Sequence, residues 1–272
     1  MIAFVLGGGG HMGAYEVGML RALFERGVRP DLIVGNSVGA LNGAAVAYEP
    51  TLEMVDRLRS VWLGVDQERV FGGSLLSAAL NMFRSRTHLH SNGPLADLIR
   101  SLVGVETFQE LKIRFECVAA SVERAAEVWF AKGPLVEAIL ASAAVPGVLP
   151  AVEIGGEHFI DGGVVNSIPI SRAVELGAEE IFVLHVGRLE AKLTPPKTPI
   201  QVATVTFEIA RRHRFNRDLA SLPEGVTAHV LPTGEPPQQG LRQYNYRNFK
   251  AIAGRIDRAY EATAKHLAEV SI

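Results

Sequence analysis

The chain has 272 residues, with 27 Lys plus Arg against 29 Asp plus Glu and a net charge near −2. That balance implies no nucleic-acid partner, which would call for a clear basic excess, and 48% hydrophobic with 21% charged residues excludes a disordered chain. A chain of this mass buries about 73% of its unfolded surface on folding, enough for a large core.

Residues 2–6 form a short apolar run that ends in Gly7, Gly8, Gly9 and Gly10. A helical pattern follows (Tyr15, Met19, Leu20, Leu23) and stops at Gly27, which reads as strand, glycine turn, helix. Residues 31–34 are a second apolar run, followed by Gly35-Asn36-Ser37-Val38-Gly39 and then by the small apolar residues 40–47, a helix suited to close packing. The strand, turn, helix unit has repeated.

From residue 51 to about 99 the pattern is helical, with breaks at Gly64, Gly72-Gly73 and Gly93-Pro94. Residues 115–121 and 127–130 pair as strands across a turn, and Pro134 opens a helix that ends before Pro146. A turn-rich stretch leads through His158, Phe159 and Ile160 to Asp161-Gly162-Gly163. Residues 171–176 read as a helix and 180–186 as a strand. A proline-containing loop then spans 188–199, and helices cover 201–219 and 248–270. The pattern is that of an α/β fold with a mainly parallel sheet, one domain over residues 1–272.

The one cysteine, Cys117, has no partner in the chain for a disulfide and sits in an apolar run, so a buried thiol in a reducing compartment is expected. Residues 1–6 lack the basic start and small-residue cleavage site of a signal peptide, and no apolar run reaches a membrane-spanning length of about 18 residues. A cytoplasmic protein is expected.

Gly35-Asn36-Ser37-Val38-Gly39 is a G-x-S-x-G motif between a strand and a helix. In that setting Gly35 and Gly39 let the serine sit on a strained elbow with its hydroxyl exposed over a helix N-terminus. A tight packing turn is the competing reading. Gly8, Gly9 and Gly10 leave a run of backbone N–H groups free of side chains, able to face an anion or a developing oxyanion. Gly8, Gly10 and Gly13 also fit a dinucleotide fingerprint, but that reading needs an acidic residue at the end of the second strand, and Asp31 stands at its beginning. Asp161 is followed by two glycines that can hold its carboxylate at a turn, where an ordinary Asx-turn is the alternative.

The glycine loop, the serine elbow, Ala141-Ser142-Ala143-Ala144-Val145-Pro146 and Asp161-Gly162-Gly163-Val164-Val165-Asn166 occur in one order along the chain. In that order and context the chain resembles the patatin-like phospholipases, lipid acyl hydrolases with a Ser-Asp dyad, over about residues 2–184. The resemblance implies a three-layer α/β/α sandwich, with Ser37 as nucleophile and Asp161 as base. It implies an oxyanion hole at Gly8, Gly9 and Gly10, with Gly9 and Gly10 as the main donors, and a supporting turn at Gly162 and Gly163. It implies no metal and no cofactor, and a lipid or other acyl ester as substrate, met in solution or at a membrane surface. One departure stands out: the family's glycine loop usually carries a basic residue before its last glycine, and here that position is Met12, preceded by His11 as a candidate replacement.

Two alternatives remain at this level. A Ser-His-Asp hydrolase would draw its base from His88, His90, His158, His185, His213 or His229, and a non-hydrolytic relative would keep the pocket to bind acyl lipids or a partner protein. Residues 74–83 carry an apolar arc at helical spacing, readable as a lid or interfacial helix or as a core-facing helix. Arg211, Arg212, His213, Arg214 and Arg217 read as a solvated helix face, with contact to anionic headgroups as the alternative.

Overall fold

The computed structural model describes residues 1–64, 90–187, 189, 192–235 and 252–270. Five strands run parallel: β1 (Ile2–Leu6), β2 (Leu32–Asn36), β3 (Arg114–Ser121), β7 (Glu180–Leu184) and β8 (Thr227–Val230). The hairpin partner β4 (Ala126–Phe130) and the pair β5 (Val152–Ile154) and β6 (Glu157–Asp161) complete the sheet in antiparallel sense. The order is β5-β6-β3-β2-β1-β7-β8, with β4 on β3.

Alternation along the central strands builds three layers. Phe4 and Leu6 face one side and pack with α1 (Ala14–Glu25), α2 (Val38–Tyr48), α3 (Leu52–Gly64), α4 (Gly93–Leu102), α5 (Leu135–Ser142) and the C-terminal α9 (Ile252–Glu269). Ala3 and Val5 face the other side, against α7 (Ile170–Glu175) and α8 (Pro199–Ala220), with the short α6 (Gly163–Asn166) packed on α8. The period of two in the strands thus sorts each residue to a layer. Phe4 meets Phe182 edge to face at 5.8 Å, a pair contributing about 0.5–1.5 kcal/mol beyond its burial.

The edges of β3 decide where the site forms. Residues 117 and 118 pair with β2 on one edge and β4 on the other, while 119–121 pair with β6 and β4. A residue has only two edges, so β2 and β6 lie end to end along the same one. Asn36 stands opposite Val118 and Asp161 opposite Ala119. Two strands of opposite direction therefore bring their last residues together.

Two short strands, β5 and β8, fall where the sequence shows only turns and weak apolar pattern; both lie at sheet edges and are at most half-buried. Cys117 is fully buried, and burial pushes its thiol up, so it is inert. No helix among the described residues is long and apolar enough to cross a membrane. Residues 74–83 and His88 lie outside the described residues.

Candidate active site

In an open α/β sheet the crevice forms beyond the carboxyl ends of the strands, where the strand order reverses about the first strand. Here β1 lies between β2 and β7, and the glycine loop leaves β1 at that point while the serine elbow leaves β2. Ser37 has φ 54° and ψ −122°, a conformation rare for a residue with a side chain. The bend aims its hydroxyl away from the strand and starts α2 beneath it, placing the positive end of the helix at the Ser37 side chain. Gly39 is needed for a separate reason: a Cβ there would run into the Leu6 carbonyl at the end of β1.

Ser37 Oγ donates to Asp161 Oδ2 at 2.6 Å, and Asp161 Oδ1 accepts the Gly163 N–H at 2.7 Å. Both residues are buried. Burial raises the Asp161 carboxyl from 3.8 to about 6, against the opposing pull of Ser37, the Gly163 N–H and the Asn36 side chain. A carboxylate held near 6 is basic enough to take a proton yet ionised at neutral pH. The end of α5 and the residues after it lock the pair together: Ser142 Oγ accepts the Ser37 N–H at 2.9 Å, and the Ala144 carbonyl accepts the Asp161 N–H at 3.0 Å. Ser142 belongs to the segment 141–146, but only the fold shows what it holds.

The glycine loop opens into a single 3-10 turn over Gly10–Gly13. The first N–H groups of such a turn have no partner within it, which suits Gly9 and Gly10 to receive an oxyanion. Gly8 differs from expectation: its N–H donates to the Ser167 carbonyl at 3.0 Å, so it anchors the loop and is not available as a donor. Ser167 is itself held by Arg211, whose Nε donates to Ser167 Oγ at 3.2 Å and whose Nη2 donates to the Val186 carbonyl at 2.9 Å. Arg211 is buried, which corrects the reading of residues 211–217 as one solvated face. Arg212 and Arg214 are tied up as well, with Glu208 at 3.0 Å and Asp218 at 2.9 Å.

His11 does not restore the charge missing at Met12. Burial, with the Arg255 guanidinium nearby, lowers its pKa to about 3, so the imidazole is neutral. Of the other described candidate histidines, His158 pairs with Glu123 at 2.7 Å, His229 stacks on Phe182 at 4.9 Å, His213 is exposed, His185 is buried just beyond β7, and His90 is half-buried, its main-chain N–H bonded to the Val148 carbonyl. The direct bond from Ser37 to Asp161 occupies the place an imidazole takes in a triad. Among the described residues no group of three His, Cys, Asp or Glu side chains comes together as a metal site.

Ser37 opens into a cleft of about 740 Å³, counting its mouth. The walls are apolar, built by Leu41 of α2, Trp62 of α3, Leu95 and Leu98 of α4, and Ile139 of α5, with Gly10 and His11 beside the serine. An α/β sandwich with a serine elbow, a bonded aspartate and an apolar cleft at the carboxyl ends of its strands defines the class of molecule. The family model described as Patatin-like phospholipase matches residues 4–174. The chain belongs to the patatin-like phospholipase family.

Several relatives share that region. Patatin-like phospholipase domain-containing protein 7 of Rattus norvegicus is 30% identical over 196 residues, covering 71% of this chain and 14% of its own length. An NTE family protein of Mycobacterium bovis is 30% identical over 190 residues, with 70% and 50% covered. Lysophospholipase nte1 of Aspergillus terreus is 26% identical over 189 residues, with 70% and 12% covered. The chain thus spans half or less of the length of these relatives. VipD from Legionella pneumophila superposes with a TM-score of 0.49 at 15% identity, covering 98% of this chain and 66% of VipD.

Proposed function

We propose that the protein is a serine acyl hydrolase that cleaves carboxylic esters of lipids, of phospholipase A or lysophospholipase type, through a Ser37–Asp161 dyad. The observation that carries this is the 2.6 Å bond from Ser37 Oγ to Asp161 Oδ2 at one end of an apolar cleft. Acyl transfer needs a nucleophile, a base within hydrogen-bond reach and donors aimed at the tetrahedral oxygen.

Ser37 Oγ attacks the ester carbonyl carbon while its proton passes to Asp161 Oδ2. The carbonyl oxygen becomes an oxyanion and accepts from the Gly9 and Gly10 N–H groups, with the α2 N-terminus adding to the field. The tetrahedral adduct collapses, the bond to the alcohol oxygen breaks, and that alcohol leaves with the proton from Asp161. Water then attacks the acyl-serine, gives its proton to Asp161, and the fatty acid departs as Ser37 is re-protonated. The cleft holds the acyl chain throughout, and Val145, which lines it and is 39% exposed, offers apolar contact to a substrate drawn from a lipid surface.

Labelling with a fluorophosphonate, localised by mass spectrometry, tests the nucleophile. Modification of Ser37 and loss of ester hydrolysis in Ser37→Ala and Asp161→Asn, with each histidine variant active, supports the dyad. An essential histidine would favour the triad, and a wild-type protein inactive on every ester would favour a binding role.

A further inference from the structure

Beneath the cleft lies a buried polar node that the proposed reaction does not use. Asn42 stands on α2, five residues after Ser37, and is fully buried. Its Nδ2 donates to the Gly13 carbonyl at 3.1 Å and to Glu16 Oε2 at 2.7 Å, and its Oδ1 accepts the Trp62 Nε1–H at 3.1 Å. Both amide protons and the carbonyl are engaged, which fixes the orientation of the carboxamide. Glu16 is fully buried, and its Oε2 is held by Asn42 while its Oε1 finds no hydrogen-bond partner among the described residues, so the bond to Asn42 matters the more. A polar cluster in this setting is rigid when satisfied and costly when one member is lost.

The node joins two parts of the site. Trp62 lines the cleft, where its ring forms part of the wall. Gly13 closes the short turn that opens at Gly10, and Gly10 lines the same cleft beside Ser37. One amide therefore connects a residue that an acyl chain touches to the turn bearing the proposed oxyanion donors.

We infer that Trp62 and Asn42 are positioning residues through which an acyl chain in the cleft steadies the glycine turn. The inference rests on the acyl-hydrolase reading and deepens it by assigning a determinant of chain-length preference. A chain long enough to pack on the Trp62 indole holds the ring in place. The ring N–H then holds the Asn42 carbonyl, and Asn42 holds Gly13 and the turn before it. With the cleft empty Trp62 is 7% exposed, so a chain meets only the part of the indole that faces the cleft; a short chain does not reach it and leaves the turn less restrained. Binding energy from a remote part of the substrate is in this way expressed at the reacting centre, so chain length acts on kcat and not on KM alone.

The test is steady-state hydrolysis of p-nitrophenyl butyrate and dodecanoate by wild type, Trp62→Phe, Asn42→Ala and the double variant. In the wild type, kcat for the long ester is expected to exceed that for the short one by about tenfold. Trp62→Phe keeps an aromatic wall and removes one N–H, and the ratio is expected to fall to about twofold or less while the KM trend with length persists. The double variant is expected to be no flatter than either single one, because both break the same connection. Should Asn42→Ala fail to fold, Trp62→Phe carries the test alone. A wild-type kcat independent of chain length, a Trp62→Phe ratio equal to that of wild type, or a loss confined to KM would overturn the inference and leave Trp62 as wall only. Failure of the underlying reading looks different: the wild type would hydrolyse neither ester and a fluorophosphonate would leave Ser37 unlabelled.

Discussion

Asn36 and Asp161 stand opposite neighbouring residues of one strand, Val118 and Ala119, on the same edge of β3. The separation of Ser37 from Asp161 is thereby set by main-chain pairing and not by the conformation of a loop. A serine one residue past the end of β2 and an aspartate at the end of β6 meet because two ladders stop at adjacent rungs.

Removing either member of the pair should abolish turnover without unfolding the chain. For Ser37→Ala and Asp161→Asn we expect kcat to fall by at least about 10³-fold, with far-ultraviolet circular dichroism unchanged. Either variant retaining a tenth of wild-type kcat would remove that residue from the mechanism.

Ionisation of Asp161 predicts opposite trends for activity and stability. The base must be charged to accept a proton, so kcat/KM is expected to rise with pH through about 6 and level off above it. Burial, the larger cause, raises the folded value above the unfolded one, so the folded chain binds more protons between those values. That contribution to stability is full below the unfolded pKa and is lost as pH rises through about 6, by up to about 3 kcal/mol. Thermal melts of wild type and Asp161→Asn should show the variant gaining relative stability between about pH 4.5 and 7.5. A melting temperature of the variant minus that of wild type that stays constant or falls over this range would rule out the raised carboxyl.

Backbone strain at Ser37 gives a comparison free of the hydroxyl. Ser37→Ala and Ser37→Gly both lose the bond to Asp161, but only glycine relieves φ 54°. The glycine variant is expected to be more stable by about 1 kcal/mol, or about 2–4 °C in Tm for a chain of this size. Equal melting temperatures would mean the elbow is unstrained.

Narrowing the cleft should shorten the preferred ester. Leu98 is a half-buried wall residue on α4, and Leu98→Trp adds bulk where an acyl chain would lie. The ratio of kcat/KM for long over short p-nitrophenyl esters is expected to drop by about tenfold or more, the scale of losing one to two buried methylenes. An unaltered ratio would place the acyl chain elsewhere.

The sequence makes the local half of the site legible. Short apolar runs ending in glycine and followed by helical spacing identify the loop at Gly8–Gly10 and the elbow at Ser37, because strand, turn and helix are each decided within a few residues. Asp161 is legible only through the order of four motifs, since nothing near it in the chain shows that β6 will continue the edge where β2 stops. The same limit hid Ser142, which acts across more than a hundred residues, and Arg211, which sits in a run of basic residues yet is buried and reaches Ser167 and Val186. It also hid the commitment of the Gly8 N–H to Ser167. Asn42, Glu16 and Trp62 lie on three different helices, and no local pattern links them.

Strand ends hold the dyad, while α2, α3, α4 and α5 supply most of the cleft wall. In the proposed reaction, chemistry and selectivity are thus written on separate pieces of backbone, one fixed by the sheet and the other by helical side chains. A library varied at Leu95, Leu98 and Ile139 can explore new acyl groups with Ser37 and Asp161 still in register, so diversification in this scaffold should begin on the helices and spare β2, β3 and β6.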